Sequence, residues 1–301
     1  MSNNQVILIT GTSSGFGRLA AETLARRGYR VFAGMRNVAD RNAKAAEELG
    51  TLAQRENLRL EVLELDVSSD ASVESAVPQV LATAGRIDTV INNAGVASNG
   101  ITEAFSVSEF ERVFATNFFG AVRVNRAALP AMRRQRSGLL IHVSSGLGRI
   151  VIPYSAPYCS SKFAMEALAD CYRFELYPLG IDSVVVEPGA FRSAVFDNAL
   201  RPSDTARANE YEGFEFTERI NATFAATLES SEESPQEVAD VFVQLIETPF
   251  GERPLRTLVG AGVKKALEGY NQIAEALRTG IAGWLGLDTT TFPNTAAKSQ
   301  A

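Results

Sequence analysis

Tyr158 and Lys162 are two side chains that can exchange protons, and they stand four residues apart in the segment YSAPYCSSKFAMEAL. In a helix this spacing places both on one face. A free phenol has a pKa of about 10, and a nearby ammonium group favours the phenolate and lowers that pKa. The pair therefore predicts a general acid and base, with Lys162 lowering the pKa of Tyr158. Because such pairs also occur on solvated helix faces, neighbouring motifs decide between the two interpretations.

Ser145 lies thirteen residues before Tyr158, at the end of the strand-like run LLIHVSS. Parallel sheets bind ligands at the carboxyl ends of their strands, so this hydroxyl is placed to bond a reacting oxygen. His142, the only histidine, lies in the same run. A hydrolase would pair it with Ser144 or Ser145, but a side chain two or three residues away in one strand is poorly placed to act as their base. We expect His142 to be packed or to line a groove.

A glycine-rich turn, TGTSSGFG, follows the first strand and precedes a helix. Its glycines permit a tight turn in which backbone N–H groups at the helix N-terminus approach a pyrophosphate. The predicted dinucleotide contacts in this turn are Gly11, Ser13, Ser14, Gly15, Phe16 and Gly17. Because the spacing is G-x-x-x-G-x-G, an ordinary βα turn is the alternative.

The second strand ends in VFAGMRN, with Met35 and Arg36 where an NAD-specific site places an acidic side chain. A carboxylate there would repel a 2′-phosphate, whereas the Arg36 guanidinium can form charge-assisted hydrogen bonds with it. The sequence therefore favours NADP(H) over NAD(H). The alternative is that Arg36 is only a solvated surface charge.

Strand-like and helical segments alternate from Gln5 to about Gly189. The strand-like runs are nearly continuous in apolar residues, as expected where helices cover both faces of a parallel sheet. This pattern predicts an α/β fold with a doubly wound parallel sheet, a Rossmann fold. One more strand, LRTLVG, and a helix from Val263 to about Arg278 follow. With no internal repeat and no low-complexity linker, residues 1–301 are predicted to form a single domain.

The composition argues against several kinds of partner. The chain has 301 residues and a net charge of −6, with no basic run beyond residues 133–136, so no surface for nucleic acid or an anionic membrane is predicted. The start MSNNQVILIT has no basic segment before a long apolar region, and no run approaches the roughly 20 residues of a membrane span. We expect a cytoplasmic protein without a metal site. Cys159 and Cys171 lie about 18 Å apart in one predicted helix, too far to form a disulfide.

Three further motifs complete an ordered set. NNAG at residues 92–95 closes the fourth strand, Asn117 lies in one long predicted helix, and VEPGAFRS at residues 186–193 follows the sixth strand. With the glycine turn and the Y-x-x-x-K pair, they resemble the short-chain dehydrogenase/reductase family, in its short single-domain branch, with a likeness to carbonyl reductases and hydroxysteroid or retinol dehydrogenases. The resemblance covers about residues 5–260.

This resemblance implies a role for each motif. Ser145 would bond the substrate oxygen, Tyr158 would give or take its proton, and Lys162 would hold the nicotinamide ribose. Asn117 would complete a catalytic tetrad by maintaining a water-linked proton path to Lys162, and Asp66 would contact the adenine. The implied cofactor contacts outside the glycine turn are Arg36, Asp66, Val67, Asn92, Ala94, Gly95, Tyr158, Lys162, Pro188, Gly189 and Ser193.

The expected function is thus the NADP(H)-dependent interconversion of a carbonyl group and an alcohol. As hydride reaches the carbonyl carbon, negative charge grows on the oxygen, where Ser145 and Tyr158 are placed as donors. Residues 190–233 would form a variable substrate lid whose mix of aromatic and charged side chains suits a hydrophobic small molecule without selecting one compound. Residues 261–301 would form a C-terminal helical extension with a loose tail.

Two other interpretations compete with this function. A redox-sensing or scaffold protein could bind NADP(H) without turnover, although loss of Tyr158 or Lys162 is its usual mark and this chain keeps both. An extended epimerase would need a larger C-terminal substrate domain than the residues after Gly189 allow. By resemblance, the helices around Asn117 and Tyr158 would pack against their copies in a homodimer or homotetramer.

Overall fold

The computed structural model describes residues 4–191, 198–212, 219, 220, 222, 223, 226 and 233–287. Part of the predicted lid, including Ser193, and the tail from residue 288 onward lie outside these residues.

A seven-stranded sheet forms the centre of the fold, and all of its strand pairs are parallel. Its strand order is β3-β2-β1-β4-β5-β6-β7. The strands are β1 (Val6–Thr10), β2 (Arg30–Met35), β3 (Leu60–Glu64), β4 (Thr89–Asn92), β5 (Gly138–Val143), β6 (Ile181–Pro188) and β7 (Arg256–Val259). Each overlaps an apolar run predicted to be a strand, so the doubly wound parallel sheet is confirmed.

Helices connect the strands and cover both faces of the sheet. They are α1 (Gly15–Arg26), α2 (Ala43–Arg55), α3 (Asp70–Ala84), α4 (Val107–Asn117), α5 (Phe119–Gln135), α6 (Ala156–Leu176), α7 (Thr205–Asn209), α8 (Gln236–Glu247) and α9 (Ala261–Trp284). Short 3₁₀ turns span Thr102–Ala104, Gly146–Gly148 and Tyr177–Leu179. Local sequence sets some of these ends: Ser106 and Glu109 form a reciprocal capping box at the start of α4.

Alternate residues of each strand pack into two separate cores. Ile7 and Ile9 of β1 face the core built with α1, α2 and α8. Leu8, between them, faces the core built with α3 and α5. This alternation follows from the two-residue period of a strand, and it explains why both faces of the sheet are apolar.

The strand order reverses between β1 and β4. β1 pairs with β2 on one side and with β4 on the other, so the chain leaves β1 in one direction and returns to its opposite flank. The connections after these strands therefore diverge and open a crevice at the carboxyl edge of the sheet. Thr10 ends β1 and Asn92 ends β4, which places the glycine turn and the NNAG segment at this crevice.

Two helices differ from their predicted bounds. The long helix predicted around Asn117 is two helices, α4 and α5, joined at Phe118, whose ψ of −62° and φ of −111° depart from regular helix. The junction lies where the Asn117 side chain is fixed to neighbouring segments, and a sequence period cannot reveal such tertiary contacts. The predicted helix from Val263 to Arg278 is α9, which continues to Trp284.

Candidate active site

A groove occupies the crevice at the carboxyl edge of the sheet. Its wall combines the glycine turn, the ends of β2 and β3, the segment after β4, and one face of α6. The predicted site residues that line it are Gly11, Ser13, Ser14, Gly15, Phe16, Arg36, Asp66, Val67, Ala94, Gly95, Tyr158 and Lys162. Residues from five separate parts of the chain thus meet at one surface.

The glycine turn has the geometry of a phosphate cradle. Gly11 has φ +71°, and a Cβ there would lie 2.7 Å from Ala94 Cα, so only glycine fits. Gly15 has φ +57° and faces open space, with no protein atom within 4 Å of a Cβ placed on it. Since α1 begins at Gly15 and Ser14 makes no side-chain capping bond, the first N–H groups of the helix are available to an anion. The turn fits the pyrophosphate of a dinucleotide.

Asn93 holds this turn in place, whereas the sequence predicts a cofactor contact for its neighbour, Asn92. Asn93 Nδ2 donates to the carbonyl oxygens of Thr10 at 2.9 Å and Gly11 at 3.0 Å, and Asn93 lines the groove. Asn92 is instead buried in the interior, where its Nδ2 donates to Asn125 Oδ1 at 2.9 Å. The Asn92 side chain therefore does not line the groove among the described residues, and its contact with the cofactor stays a prediction.

A second arginine joins Arg36 at the far end of the groove. Arg36 and Arg41 are both exposed and line its wall, and neither has an acidic partner among the residues that the structure describes. The Asn42 amide donates to the Arg36 carbonyl oxygen at 2.6 Å, which folds the loop back on itself. Glu64 accepts hydrogen bonds from the backbone N–H groups of residues 37 and 38, so its carboxylate faces the loop. Two guanidinium groups can thus meet an anionic group at this end.

Ser145 lies just after β5, near Tyr158, which lines the groove. Hydrogen bonding by the Ser145 side chain acts to lower the pKa of the Tyr158 hydroxyl, against the larger effect of burial. Ser145 Oγ also accepts from the backbone N–H of Leu147 at 3.1 Å, at the start of the 3₁₀ turn after β5. The Tyr158 backbone N–H donates to Ser98 Oγ at 3.1 Å, which ties the start of α6 to the segment after β4. Two hydroxyl groups that are thirteen residues apart in the sequence are therefore brought near each other.

Lys162 lies beside Tyr158 on the same face of α6, as predicted. It is 4% exposed, and its Nζ lies 5.7 Å from the centroid of the Tyr158 ring. Its Nζ donates to the Val143 carbonyl oxygen at 2.7 Å, at the end of β5. Burial lowers the pKa of Lys162 to about 8, and the charge of Glu166 opposes this decrease. The ammonium group is therefore largely charged at neutral pH and loses its proton in mildly alkaline solution.

The pKa of Tyr158 moves in the direction opposite to the prediction. Burial raises it to about 12, and the hydrogen bond with Ser145 only partly offsets this rise. Removing water from around a phenolate is the largest cause of this rise, and the charge of Lys162 is not among its causes. The expected lowering by Lys162 is thus wrong for the chain by itself. A phenol with this pKa keeps its proton at neutral pH and gives it up only to a strongly basic oxygen, such as an alkoxide.

Asn117 uses its whole amide to join three segments. Its Oδ1 accepts from Val96 N at 2.8 Å, and its Nδ2 donates to Val96 O at 3.0 Å and to Ser161 Oγ at 2.9 Å. A methyl group placed on Gly95 would lie 3.5 Å from Asn117 Oδ1 and 3.7 Å from Lys162 Nζ. Gly95 therefore leaves a small space between the amide and the ammonium group.

Three predicted contacts lie beside the groove wall. Gly17 is buried in the first turn of α1, where a Cβ would clash with Asn93 Nδ2. Pro188 ends β6, and the Gly189 N–H donates to the Val259 carbonyl oxygen at 2.9 Å. None of these residues lines the groove in the described part of the chain. Ser193 lies outside the described residues.

His142 has no catalytic geometry. It is fully buried in β5 and stacks on Tyr172, with ring centroids 6.2 Å apart. Burial, followed by the charge of Lys162, lowers the pKa of His142 to about 3, so the ring is neutral. Neither ring nitrogen has a hydrogen-bond partner among the described residues. The packed histidine expected from the sequence is confirmed.

The described residues contain no group of three or more histidine, cysteine, aspartate or glutamate side chains arranged to hold a metal ion. None of their helices is both long and apolar enough to cross a bilayer.

The chain is similar in sequence to known proteins over the region that forms the groove. The sequence model of the family described as short chain dehydrogenase matches residues 5–203. The uncharacterized oxidoreductase YusZ of Bacillus subtilis (strain 168) is 34% identical over 267 residues, which cover 88% of this chain and 92% of that protein. Retinol dehydrogenase 8 of Bos taurus is 34% identical over 254 residues, which cover 80% of this chain and 78% of that protein. A solved structure with a similar fold is the alcohol dehydrogenase of the archaeon Thermococcus sibiricus in complex with 5-hydroxy-NADP. It is 27% identical in sequence, with a TM-score of 0.65, and the match covers 85% of this chain and 95% of that chain.

Proposed function

The chain belongs to the short chain dehydrogenase family, and we propose that it is an NADP(H)-dependent enzyme that interconverts a carbonyl group and an alcohol, with Tyr158 as general acid and base. Proteins of this family are oxidoreductases that act on alcohol or carbonyl groups with a nicotinamide dinucleotide. The identity of the dinucleotide, the proton donor and the substrate class are the parts that we add.

The observation that carries the proposal is that Tyr158 lines the groove beside Lys162, with Ser145 near enough to act on its pKa. A bound nicotinamide ring supplies or accepts the hydride. During reduction, Ser145 and Tyr158 would donate hydrogen bonds to the carbonyl oxygen as negative charge grows on it. Tyr158 would then pass its proton to that oxygen and complete the alcohol. Its raised pKa keeps this proton in place until the oxygen becomes basic.

Lys162 and Asn117 would support this proton transfer from Tyr158. The Lys162 ammonium group is positioned to hold the ribose hydroxyls and to stabilise the phenolate that remains after proton transfer. The space that Gly95 leaves beside Lys162 Nζ and the Asn117 amide suits a water-linked path that returns the proton. Asp66 would contact the adenine at the opposite end of the groove, where it lines the wall.

The form of the cofactor is proposed from charge. Arg36 and Arg41 line the groove where β2 ends, and the acidic residue in the described lining, Asp66, follows β3, where we propose the adenine contact. Two exposed guanidinium groups favour a 2′-phosphate over a bare ribose hydroxyl. The related alcohol dehydrogenase solved with 5-hydroxy-NADP supports the same choice. We therefore propose NADP(H).

A hydrophobic substrate is proposed from the surface beside Ser145. Ile150 and Val151, which follow the 3₁₀ turn after Ser145, are 43% and 68% exposed. Exposed apolar residues next to a reactive groove favour an apolar ligand. The likeness to retinol dehydrogenase 8 points the same way. Three statements stay predictions. They are a cytoplasmic location, a single domain over residues 1–301, and an oligomer built on the helices around Asn117 and Tyr158.

A panel of ketones and aldehydes tests the proposal. We expect purified protein to oxidise NADPH with at least one hydrophobic carbonyl compound, followed by the loss of nicotinamide absorbance. NADPH binding without turnover across aliphatic, aromatic and polycyclic substrates would favour the redox-sensing alternative. Fluorescence titration of NADPH in the same samples separates a failure to bind from a failure to react.

A further inference from the structure

Helix α9 docks on the rest of the chain with one side only. Leu267 and Ala282 are buried on this side. The Asn271 amide donates to Glu187 Oε2, and the Arg278 guanidinium lies 5.5 Å from the centroid of the Phe174 ring. These contacts fix which face of the helix points outward.

A neighbouring face of α9 is apolar and exposed. We name it the α9 apolar face and define it by five residues. They are Tyr270 (48% exposed), Ile273 (66%), Leu277 (65%), Ile281 (53%) and Trp284 (84%). At about 100° per residue, these five positions lie within one stripe of the helix. Monomeric proteins rarely leave so continuous an apolar patch exposed, so the stripe marks an interaction surface.

The spacing of these residues is symmetric about Leu277. The steps along the chain are three, four, four and three residues, from Tyr270 to Trp284. When two such helices pack antiparallel about a two-fold axis at Leu277, Tyr270 meets Trp284 of the second copy and Ile273 meets Ile281. A two-fold interface must match itself in this way, because each copy presents the same residues to the other.

Small residues beside the stripe permit a close approach. In the same antiparallel arrangement, Ala274 of one copy lies opposite Gly280 of the other, on either side of the axis. Between residues 276 and 287 the only charged side chain is Arg278, and it pairs with Glu275 of its own helix. No like charges therefore meet across the helix pair, and the backbones can pack at the separation that small contact residues allow.

We propose that the α9 apolar face is a homodimer interface, in which two copies of α9 pack antiparallel about an axis through Leu277. The five residues expose on the order of 700 Å² per copy, so two copies could bury at most on the order of 1,400 Å², which reaches the range of stable interfaces. The interface is separate from the helices around Asn117 and Tyr158, where the family resemblance places an oligomer contact.

A lipid surface fits this face less well than a second copy does. Helices that lie on membranes place lysine and arginine along the polar side, next to the apolar stripe. In α9 the exposed lysines are confined to Lys264 and Lys265 in the first turns, and the whole chain carries a net charge of −6. Membrane binding also gives no reason for a spacing that is symmetric about Leu277.

The proposed interface reaches the segment next to the reactive hydroxyl groups. The Arg149 guanidinium lies 4.5 Å from the centroid of the Tyr270 ring, and Arg149 Nε donates to Asn271 Oδ1 at 3.0 Å. Arg149 follows directly after the 3₁₀ turn that begins beyond Ser145. A second copy packed on Tyr270 would therefore hold this segment of the groove in place.

The test is the mass of the full chain in solution by sedimentation velocity. Leu277→Glu places two carboxylates together on the proposed axis, so we expect it to halve the mass of the assembly or to raise its dissociation constant at least 100-fold. Gln272→Glu makes the same charge change on an exposed position of α9 outside the stripe and should leave the mass unchanged. A monomeric wild type, or equal masses for all three proteins, overturns the proposal.

Oxidative cross-linking locates the axis. In a Cys171→Ser background, Leu277→Cys should form a disulfide-linked dimer, because a residue on a two-fold axis meets its own copy. Gln272→Cys in the same background should not. Absence of the Leu277→Cys cross-link, or flotation of the wild type with phosphatidylcholine vesicles as a monomer, contradicts a helix-paired dimer. Both readouts are independent of catalysis, so they separate this proposal from the proposed function.

Discussion

Glu166 lies one turn of α6 after Lys162, and both side chains are buried beneath the groove. Burial raises the pKa of Glu166, and the charge of Arg256, whose Nε donates to Glu166 Oε2 at 2.9 Å, opposes this rise. The charge of Glu166 raises the pKa of Lys162, against the larger lowering caused by burial. To the extent that Glu166 is ionised, its charge helps to keep the Lys162 ammonium group protonated.

Glu166→Gln should shift the pH dependence of the reaction. With the negative charge removed, the pKa of Lys162 falls below about 8, its value in the wild type. We expect the alkaline limb of kcat/KM for carbonyl reduction to move to lower pH. Asp170→Asn is the matched control, because its carboxylate also bonds Arg256 yet lies two turns from Lys162. An unchanged alkaline limb in Glu166→Gln, or the same shift in both variants, would show that Glu166 does not act through Lys162.

Arg36→Glu should change the choice of cofactor. A charge-assisted hydrogen bond contributes roughly 1.5–3 kcal/mol, so its loss should weaken NADPH binding by roughly 10-fold to 100-fold while NADH binding changes little. Fluorescence titration of both nucleotides measures the two dissociation constants. Arg134→Glu, an equal charge change in the last turn of α5, controls for the altered net charge. Equal losses of NADPH and NADH affinity would remove the argument for a 2′-phosphate contact.

His142→Phe should flatten the decline of stability in mild acid. The pKa of His142 is about 3 in the folded chain, against an ordinary value of 6.5, so below pH 6.5 the unfolded state binds a proton that the folded state does not. Stability from this group is therefore lost as the pH falls from 6.5 towards 3, by about 2 kcal/mol between pH 7 and pH 5. Urea unfolding of both proteins at these two pH values measures the difference. Identical declines would mean that the histidine titrates in the folded chain.

Asp182→Ala should destabilise the fold strongly. Asp182 has no exposed surface and accepts hydrogen bonds from both Arg173 and Arg253. Its removal leaves two buried guanidinium groups without their counter-charge, at a cost on the order of 3–5 kcal/mol. Asp70→Ala removes an aspartate from the exposed pair with Arg123 and should cost less than about 1 kcal/mol. Similar midpoints of urea unfolding for the two variants would contradict this account of the buried cluster.

The fold could be predicted because both faces of the sheet are covered. Each strand is then a short run of apolar residues, and the runs overlap all seven strands of the sheet. The Tyr158, Lys162 and Ser145 positions followed from helical spacing and from the rule that ligands bind at strand ends. These features depend on local periodicity and on topology, which a single sequence carries.

Features that depend on tertiary contacts could not be predicted in this way. Asn92 and Asn93 are adjacent, and only the direction of the chain at the end of β4 decides which side chain faces the groove. Arg41 reaches the wall because the loop after β2 folds back, with Asn37 at a positive φ and Asn42 bonded to Arg36. The pKa of Tyr158 depends on how much water reaches its hydroxyl, and no sequence pattern records that.

Tyr158→Phe tests the central claim most directly, because it removes only the proton donor. Single-turnover reduction of a hydrophobic ketone and NADPH titration should be measured on the same samples. We predict that the rate falls roughly 10²-fold to 10⁴-fold, the usual contribution of general acid catalysis, while the NADPH dissociation constant changes less than about threefold. An undiminished rate in Tyr158→Phe would contradict the assignment of Tyr158 as the group that protonates the substrate oxygen.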